Sequence, residues 1–216
     1  KIKFYQASSS EMFGKSKPPQ NEKTLFQPRS VYAISKVFAY HSVIHYREAY
    51  NLHACNGILF NHESPRRGVN FVTKKIIQGL TRIKNGKQKI LVLGNLYSRR
   101  DWGHAKDYVE SMWRILQRKK PDDYVVATRT SHSVKDFINI SAKKIGIKLI
   151  WKNKGLKEVG IDKTNNKTII TVNKKYFRET EVDDLIGDYS KAKRLLKWKP
   201  KYSFNALVDD MIKNEK

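Results

Sequence analysis

The sequence predicts an α/β protein, and two observations carry the prediction. Short apolar or β-branched segments alternate with longer segments in which apolar residues recur every three or four positions. Alternation of strands with helices is typical of a parallel sheet that is covered by helices. The chain of 216 residues, with 39% hydrophobic and 11% aromatic residues, is also long and apolar enough to bury a core.

Each element is expected where the local pattern is clearest. Buried strands are expected at residues 2–7, 54–60, 89–93, 124–127, 147–151 and 168–172. Helices are expected from about 30 to 50 and at residues 71–83, 105–117, 133–145, 190–196 and 204–212.

The first helix has a recognisable start and a recognisable inner face. Pro28 precedes it, and Ser30 can cap its first turn because a serine hydroxyl accepts a hydrogen bond from a backbone N–H of that turn. One face of the helix is apolar, since four residues are spaced by four, three and four positions: Ala33, Val37, Tyr40 and Ile44.

The formal net charge of +24 raises the question of a nucleic-acid partner. Lysines are scattered over almost every segment and outnumber arginines 32 to 12. Proteins that read bases and phosphates concentrate their basic residues in patches, with arginine prominent. The distribution therefore favours a general lysine-rich surface over a nucleic-acid face, and its field would also attract an anionic substrate.

The sequence points to a cytoplasmic protein without a membrane partner. Its longest apolar runs fall far short of the roughly 20 residues that a membrane span needs, and no signal peptide is recognisable. Cys55 is the only cysteine, so no disulfide can form within the chain. It lies in an apolar run, where we expect a buried and inert thiol. We expect no metal site.

Two Tyr-x-x-x-Lys spacings are candidates for catalysis, Tyr32 with Lys36 and Tyr189 with Lys193. On a helix this spacing places both side chains on one face, where an ammonium favours the phenolate and lets a tyrosine act as a base. Spacing alone does not choose between the two pairs. Context favours the first, because Ser9 ends the preceding strand, and ligands bind beyond the carboxyl ends of strands in open α/β sheets.

A carboxylate accompanies this strand end. Glu11 lies two residues past Ser9. Taken alone, it is more simply a loop acid or an acid in the first turn of a helix.

Four strings of the sequence resemble those of GDP-mannose 4,6-dehydratases, which belong to the extended short-chain dehydrogenase/reductase family. They are FYQASSSEMFG at residues 4–14, PRSVYA at 28–33, NGILFNHESPRRG at 56–68 and RDWGHAKDYV at 100–109. Residues 176–178 with 181–182 are a further likeness. The strings at 56–68 and 100–109 are the most specific, and the resemblance covers essentially the whole chain in order.

The resemblance implies the C-terminal part of a Rossmann-like parallel sheet with a smaller α/β substrate-binding cap. Residues 1–67 and 104–130 would form the partial Rossmann-like catalytic domain. Residues 68–103 and 131–216 would form the cap.

The resemblance also implies catalytic roles. Ser9 takes the position of the family's catalytic threonine and keeps a hydroxyl there. Glu11 corresponds to the acid that removes the proton at carbon 5 of the sugar and helps to expel the carbon 6 hydroxyl. Tyr32 corresponds to the base for oxidation at carbon 4, and Lys36 is its partner.

Binding residues follow from the same resemblance. Contacts to NADP would come from Tyr32, Lys36, Asn61, His62 and Arg67. The diphosphate and ribose of GDP-mannose would be held by Asn61, Arg100, Arg178 and Glu181. Arginine suits a diphosphate because its planar donors bind two oxygens at once. Residues 66–67 also resemble a loop that reaches a neighbouring subunit's NADP site, which implies a homo-oligomer, either a dimer or a tetramer.

The implied reaction is an internal redox sequence. NADP takes a hydride from carbon 4, water leaves across carbons 5 and 6, and the hydride returns to carbon 6. GDP-D-mannose would become GDP-4-dehydro-6-deoxy-D-mannose.

The chain departs from the family pattern in three places. It has no Gly-rich dinucleotide fingerprint. The family carries that fingerprint before the strand that opens this chain, so we expect the chain by itself to bind NADP poorly and to be inactive. Val31 stands where the family usually has proline, and residues 152–168 match no family motif.

Simpler roles and other functions stay open. His62 reads equally as a core histidine, Arg100 with Asp101 as a surface ion pair, and Glu181 as an acid at a helix start. Another enzyme of the same family, such as a nucleotide-sugar epimerase, would share many motifs, although Glu11 and residues 61–68 speak against it. A non-catalytic basic module would instead bind nucleic acid or a protein partner with a steep salt dependence.

Overall fold

The computed structural model describes residues 2–177, 180, 182 and 184–215, and the chain divides into two compact units. The first unit contains Lys1–His62, Arg99–Ser131 and Val182–Ser203. The second unit contains Glu63–Ser98, His132–Glu181 and Phe204–Lys216.

The helices and strands have the following bounds. The strands are β1 (Lys3–Ser9), β2 (His53–Leu59), β3 (Asn61–Glu63), β4 (Leu91–Leu93), β5 (Arg99–Arg100), β6 (Trp102–His104), β7 (Asp123–Val126), β8 (His132–Ser133), β9 (Leu149–Lys152), β10 (Val159–Asp162), β11 (Lys167–Val172) and β12 (Asp184–Leu185). The helices are α1 (Val31–Tyr50), α2 (Val72–Lys84), α3 (Ala105–Leu116), α4 (Val134–Ile145), α5 (Ser190–Leu196) and α6 (Phe204–Lys213). Short 3₁₀ helices lie at Ser10–Met12, Gly155–Lys157 and Lys174–Tyr176.

The first unit is built on a parallel sheet with the strand order β1-β2-β7. Ser9 at the end of β1 is level with Leu59 of β2, and Leu59 is level with Val126 of β7. The carboxyl ends of the three strands therefore lie along one edge of the sheet, where such sheets bind ligands.

Side chains of β2 alternate between two buried layers, as the period of a strand requires. Ile58 packs with Tyr40 of α1 on one face of the sheet. Cys55 and Leu59 pack with Tyr108 of α3 on the other. Cys55 is buried as predicted, and burial raises the pKa of its thiol.

The start of α1 agrees with the prediction from the sequence. Ser30 Oγ accepts a hydrogen bond from the Ala33 backbone N at 3.1 Å, and Ala33 and Tyr40 lie on the buried face. At 20 residues α1 is long, but it carries charged residues at Lys36, Arg47 and Glu48. Within the part of the chain that the structure describes, no helix combines the length and apolarity that crossing a membrane requires.

The second unit contains a mixed sheet in the order β4-β11-β10-β9. β4 and β11 are parallel, whereas β10 is antiparallel to both of its neighbours. α2, α4 and α6 pack together in the same unit. α4 begins with a capping box between Ser133 and Asp136, and it ends at Gly146, whose φ of 81° favours glycine.

The compact units depart most from the sequence-based division of the chain in one segment, and their other boundaries differ from it by one to five residues. Residues 182–203 were expected in the cap, but they pack in the first unit. Trp198 is the reason, because its buried indole donates to the Asp107 carbonyl at 2.9 Å and its ring meets those of Tyr108 and Tyr189 edge-on. The division into a catalytic part and a substrate-binding part stays a prediction.

The outer strand β7 has side chains bound to its outward backbone groups. Glu22 Oε1 accepts a hydrogen bond from the Val125 backbone N at 2.8 Å. Lys191 Nζ donates to the Asp123 carbonyl at 2.8 Å. These two residues occupy positions that a neighbouring strand would otherwise take.

Candidate active site

The Tyr32 and Lys36 side chains lie together on the first turns of α1. Lys36 Nζ is 5.7 Å from the centre of the Tyr32 ring and donates a hydrogen bond to the Ala7 carbonyl of β1 at 2.8 Å. The Tyr32 side chain is 54% exposed. Lys36 therefore ties the helix to the last residues of the strand and leaves the phenol accessible to a ligand.

Ser9 and Glu11 stand at the same strand end. Ser9 Oγ accepts a hydrogen bond from the Glu11 backbone N at 3.2 Å, which caps the 3₁₀ helix Ser10–Met12. Met12 is fully buried and anchors this turn in the core. The turn holds the half-buried Glu11 next to the strand end.

These residues form a set that is suited to proton transfer. A hydroxyl, a carboxylate, a phenol and an ammonium come from β1, the following turn and α1, which pack against one another. Such groups can hold a substrate oxygen and move protons at neighbouring carbons. The predicted grouping of Ser9, Glu11, Tyr32 and Lys36 therefore has a physical basis in the fold.

Asn61 and His62 follow β2 in the first unit. Asn61 Oδ1 is buried and makes no hydrogen bond with the described residues, so this oxygen suits a ligand donor. His62 Nδ1 lies 2.9 Å from the Phe60 carbonyl, which can only accept, so in the neutral ring Nδ1 carries the proton. The His62 ring also stacks on Tyr108 with their centres 4.9 Å apart.

The predicted arginines differ in their surroundings. Arg67 lies in the second unit, where its Nε is 3.1 Å from Glu63 Oε2 and its guanidinium lies 3.5 Å from the centre of the Phe71 ring. Arg100 lies in the first unit and is largely buried, and its Nη1 donates to the Val182 carbonyl at 2.7 Å. Arg178 and Glu181 lie outside the described residues.

The structure overturns the simple reading of Arg100 and Asp101 as a surface ion pair. Asp101 is fully buried. Its Oδ1 accepts from the backbone N and hydroxyl of Thr128, and its Oδ2 accepts from the backbone N atoms of Arg129 and Gly187. Burial raises the pKa of Asp101 to about 6 despite these hydrogen bonds. The carboxyl thus joins two loops of the first unit.

A buried polar network supports the strand end that carries Ser9, and sequence reasoning did not single it out. Ser8 Oγ donates to Asn56 Oδ1 at 3.1 Å, and Asn56 Nδ2 donates to Asp123 Oδ1 at 2.9 Å. Arg47 binds both oxygens of Asp123 at 2.9 Å. Burial disfavours the charged form of Asp123, but the hydrogen bonds from Arg47 and Asn56 outweigh it and lower its pKa. A polar residue inside an apolar strand, such as Asn56, is the signal that could have revealed this network.

Metal-binding side chains do not cluster in the described part of the chain. In that part, no three His, Cys, Asp or Glu side chains lie where they could hold a metal ion. The polar groups at the strand end are those of acid–base chemistry and of a bound organic ligand.

Comparison with protein families gives one family for nearly the whole chain. The model of the family described as GDP-mannose 4,6 dehydratase matches residues 1–211. A GDP-mannose 4,6 dehydratase of Drosophila melanogaster is 54% identical over 213 residues, which are 98% of this chain and 54% of that protein. GDP-mannose 4,6 dehydratase 1 of Arabidopsis thaliana is 56% identical over 211 residues, again 98% of this chain and 54% of the relative. The chain thus spans about half the length of these relatives.

Solved structures share the fold at low sequence identity. RMD from Pseudomonas aeruginosa, solved with NADPH, has a TM-score of 0.82 at 19% identity. The match covers 98% of this chain and 66% of the RMD chain. A dTDP-glucose 4,6-dehydratase from Bacillus anthracis, solved with NAD, has a TM-score of 0.78 at 20% identity, with 99% and 61% coverage. These likenesses establish the Rossmann-like α/β fold.

Proposed function

The chain belongs to the GDP-mannose 4,6-dehydratase family, and on that premise we propose that the protein converts GDP-D-mannose to GDP-4-dehydro-6-deoxy-D-mannose with NADP. The observation that carries the proposal is the hydrogen bond from Lys36 Nζ to the Ala7 carbonyl. It places the tyrosine and lysine of α1 beside the strand end that carries Ser9 and Glu11. Those four groups match the demands of the reaction.

Each group has a step in the proposed reaction. Tyr32 takes the proton of the carbon 4 hydroxyl while Ser9 holds that oxygen, and Lys36 stabilises the phenolate. A bound NADP, held by Tyr32, Lys36, Asn61, His62 and Arg67, would supply the hydride acceptor for carbon 4 and the hydride donor for carbon 6. Glu11 removes the proton at carbon 5, which the carbon 4 ketone has acidified, and delivers a proton to the departing carbon 6 hydroxyl. Water leaves, and as carbon 6 receives the hydride, the proton held by Tyr32 is returned to carbon 5, so the redox state of the sugar is conserved overall.

Binding roles are proposed for the remaining residues. Asn61 Oδ1, buried without a described partner, fits a donor of a bound ligand, which supports its assignment to the cofactor and the sugar nucleotide. We assign cofactor contacts also to His62 and Arg67. The diphosphate and ribose are assigned to Arg100 with Arg178 and Glu181.

We propose further that the protein is a homo-oligomer through the outer face of α1. Val31, Ile34, Phe38, Tyr46 and Tyr50 are exposed on the side opposite the core-facing residues of α1. An apolar stripe on an otherwise lysine-rich surface is typical of a protein interface. A second copy would present the same stripe, which suits the isologous contact of a twofold dimer.

The first test of the proposed function is calorimetric titration with GDP, with and without NADP⁺. We expect GDP to bind and Arg178→Ala to weaken binding at least about tenfold, because a charge-assisted hydrogen bond contributes 1.5–3 kcal/mol. The matched control is Arg82→Ala, an exposed arginine of α2. Equal affinity in the two variants contradicts the assignment. A folded chain that binds RNA with a steep salt dependence, and no GDP, would support the binding-module alternative.

The second test concerns the chemistry. Glu11→Gln keeps the shape of the side chain and removes its base. In a protein that also carries the family's Gly-rich cofactor segment, which the reaction needs, we expect GDP binding to stay and product formation to fall about 10²–10⁴-fold. Glu48→Gln makes the same change at an exposed position of α1 and should leave both unchanged. The readout is the amount of product formed from GDP-mannose, measured by NMR. Full activity of Glu11→Gln would contradict the proposed role of Glu11.

A further inference from the structure

A second cleft in the first unit uses none of the residues of the proposed active site. It has a volume of about 320 Å³ and is lined by Arg129, Tyr189, Ser190, Lys193 and Arg194. Arg129 follows the end of β7, and β7 is the strand farthest from β1 in the sheet. Arg129 and Ser9 are therefore both at the carboxyl edge of this sheet, but the cleft lies beside β7, at the other end of the strand order from β1. It also contains the second Tyr-x-x-x-Lys pair, which the proposed reaction leaves without a role.

The three cations of the cleft have no described counter-ion. Arg129, Lys193 and Arg194 form no ion pair with any residue that the structure describes, whereas Lys191 of the same helix pairs with Asp122 at 2.7 Å. The carboxylate of Asp188 is close in sequence, but it accepts from the backbone N and hydroxyl of Ser190. Like charges around one concave surface repel each other, and an anion that enters between them relieves this repulsion.

The position of Arg129 is fixed by its backbone. Its φ of 67° lies in the left-handed region that favours glycine, and its backbone N donates to the buried Asp101 carboxylate at 2.9 Å. Thr128 is held by the same carboxylate. The loop is thus held by a buried carboxylate, which fixes the backbone position from which the Arg129 side chain extends.

The other wall of the cleft is equally well supported. Tyr189 and Lys193 are one helical turn apart and project from one face of α5. The Tyr189 ring meets the buried Trp198 ring edge-on, with their centres 5.6 Å apart. A phenol and a serine hydroxyl stand among the cations as hydrogen-bonding groups.

We propose that this cleft binds a small phosphate-bearing anion at a site separate from the sugar-nucleotide site. Two guanidinium groups and an ammonium suit a phosphate or diphosphate, because arginine donates to two oxygens at once and lysine adds a compact charge. A volume of about 320 Å³ leaves room for a diphosphate or a small phosphate monoester.

The test is a titration of the 216-residue chain with inorganic pyrophosphate at constant ionic strength, followed by calorimetry and by the amide NMR signals of the cleft. Arg129→Gly removes the guanidinium and relieves the left-handed backbone, so the fold should stay intact. The matched control is Lys197→Gly, which removes an exposed cation from another left-handed position, φ 53°, outside the cleft. We expect saturable binding, at least about tenfold weaker in Arg129→Gly and within about twofold of wild type in Lys197→Gly.

Two results would overturn the proposal. One is the absence of saturable pyrophosphate binding, or equal weakening of that binding in both variants. Equal weakening would mean that the overall positive charge of the protein, and not the cleft, attracts pyrophosphate. The other is an equal loss of GDP affinity in Arg129→Gly, which would make the cleft part of the sugar-nucleotide site. If Arg129→Gly fails to fold, the double variant Lys193→Gln with Arg194→Gln on the exposed face of α5 repeats the test. Because GDP binding is measured separately with Arg178→Ala, failure here leaves the proposed function standing.

Discussion

At the scale of single residues, Asp101 shows how burial changes the meaning of a charged side chain. Four hydrogen bonds converge on its carboxylate, two on each oxygen. Replacement by asparagine would turn one oxygen into an amide that faces backbone donors. The group therefore determines where the loop of Thr128 and the segment of Gly187 lie.

We expect Asp101→Asn to lower the free energy of unfolding by about 2–3 kcal/mol at pH 7, because charge-assisted hydrogen bonds are lost and buried donors lose their acceptor. Asp209→Asn is the control, since that carboxylate is 60% exposed and its ion pair with Lys144 is worth little. Urea denaturation of both variants provides the measurement. Equal stability of the two variants would show that the Asp101 contacts are not important.

The same carboxyl predicts a pH dependence with a defined sign. Burial raises the pKa of Asp101 from its ordinary value of 3.8 to about 6 in the folded protein, so the folded state binds the proton more tightly than the unfolded state. Protonation of this carboxyl therefore stabilises the folded state. This contribution to the free energy of unfolding is fully present below about pH 4 and is lost as the pH rises through about 6. The stability of wild type minus that of Asp101→Asn should fall over this range. A difference that grows with pH would contradict the expected sign.

Residue roles could be predicted only in part from the sequence. The grouping of Tyr32 and Lys36 with Ser9 follows from spacing and from the order of strand and helix. Burial of Asp101 does not, because two adjacent charged residues in a sequence do not reveal which of them faces the core. The same is true of Asp123, whose partners lie 67 and 76 positions away at Asn56 and Arg47.

At the scale of elements, the helix α1 carries both its N-terminal cap and the proposed catalytic pair. Ser30 ends the extended segment, and Tyr32 and Lys36 occupy the first turns after it. Fraying of these turns would move both side chains away from β1. The cap is thus part of the positioning of the proposed base.

We expect Ser30→Ala to cost about 1 kcal/mol of stability, because the Ala33 backbone N loses its acceptor. Ser42→Ala, in the interior of the same helix, should be neutral or slightly stabilising, since alanine is the better helix former and the Ser42 hydroxyl only bonds back to the Phe38 carbonyl. Thermal unfolding of the two variants provides the comparison. A larger loss in Ser42→Ala would show that the cap does not stabilise α1.

Elements with a clear apolar pattern were predictable even where they are short, as β4, β7 and β9 are, whereas β3, β5, β6, β8, β10 and β12 were not predicted. In α1 apolar residues recur every three or four positions, and β2 is a largely apolar run. β10 has only four residues and contains Gly160, and its antiparallel pairing depends on partners on both sides. The expectation of a parallel sheet is therefore confirmed for β1, β2 and β7, and the second sheet is mixed.

At the scale of the whole molecule, the surface combines a high positive charge with one apolar stripe on α1. Charge of one sign opposes association at low salt and is screened as salt rises. The apolar stripe favours association at all ionic strengths. The two effects predict an oligomer that salt does not dissociate.

We expect Phe38→Glu to convert the oligomer to a monomer, because Phe38 is 76% exposed in the middle of the stripe and a carboxylate cannot be buried there without a partner. Leu156→Glu is the control, an exposed leucine in the second unit outside α1. Sedimentation velocity at two salt concentrations decides. A wild-type monomer, or an oligomer in both variants, would remove the role of the stripe.

The order of segments in space was the hardest property to predict. Residues 182–203 follow the second unit in the chain and return to the first through Trp198. No local pattern marks such a return, because it depends on the core cluster in which Trp198 packs with Tyr108 of α3 and Leu196 of α5.

The side chains bound to β7 have a consequence for the behaviour of the protein in concentrated solution. With the Val125 amide held by Glu22 and the Asp123 carbonyl held by Lys191, this strand offers an incoming chain no adjacent donor and acceptor to register on. Runaway association of exposed strands, the route to amyloid, is blocked on this side by two charged residues of opposite sign. Replacement of Glu22 or Lys191 should therefore first lower the solubility of the protein.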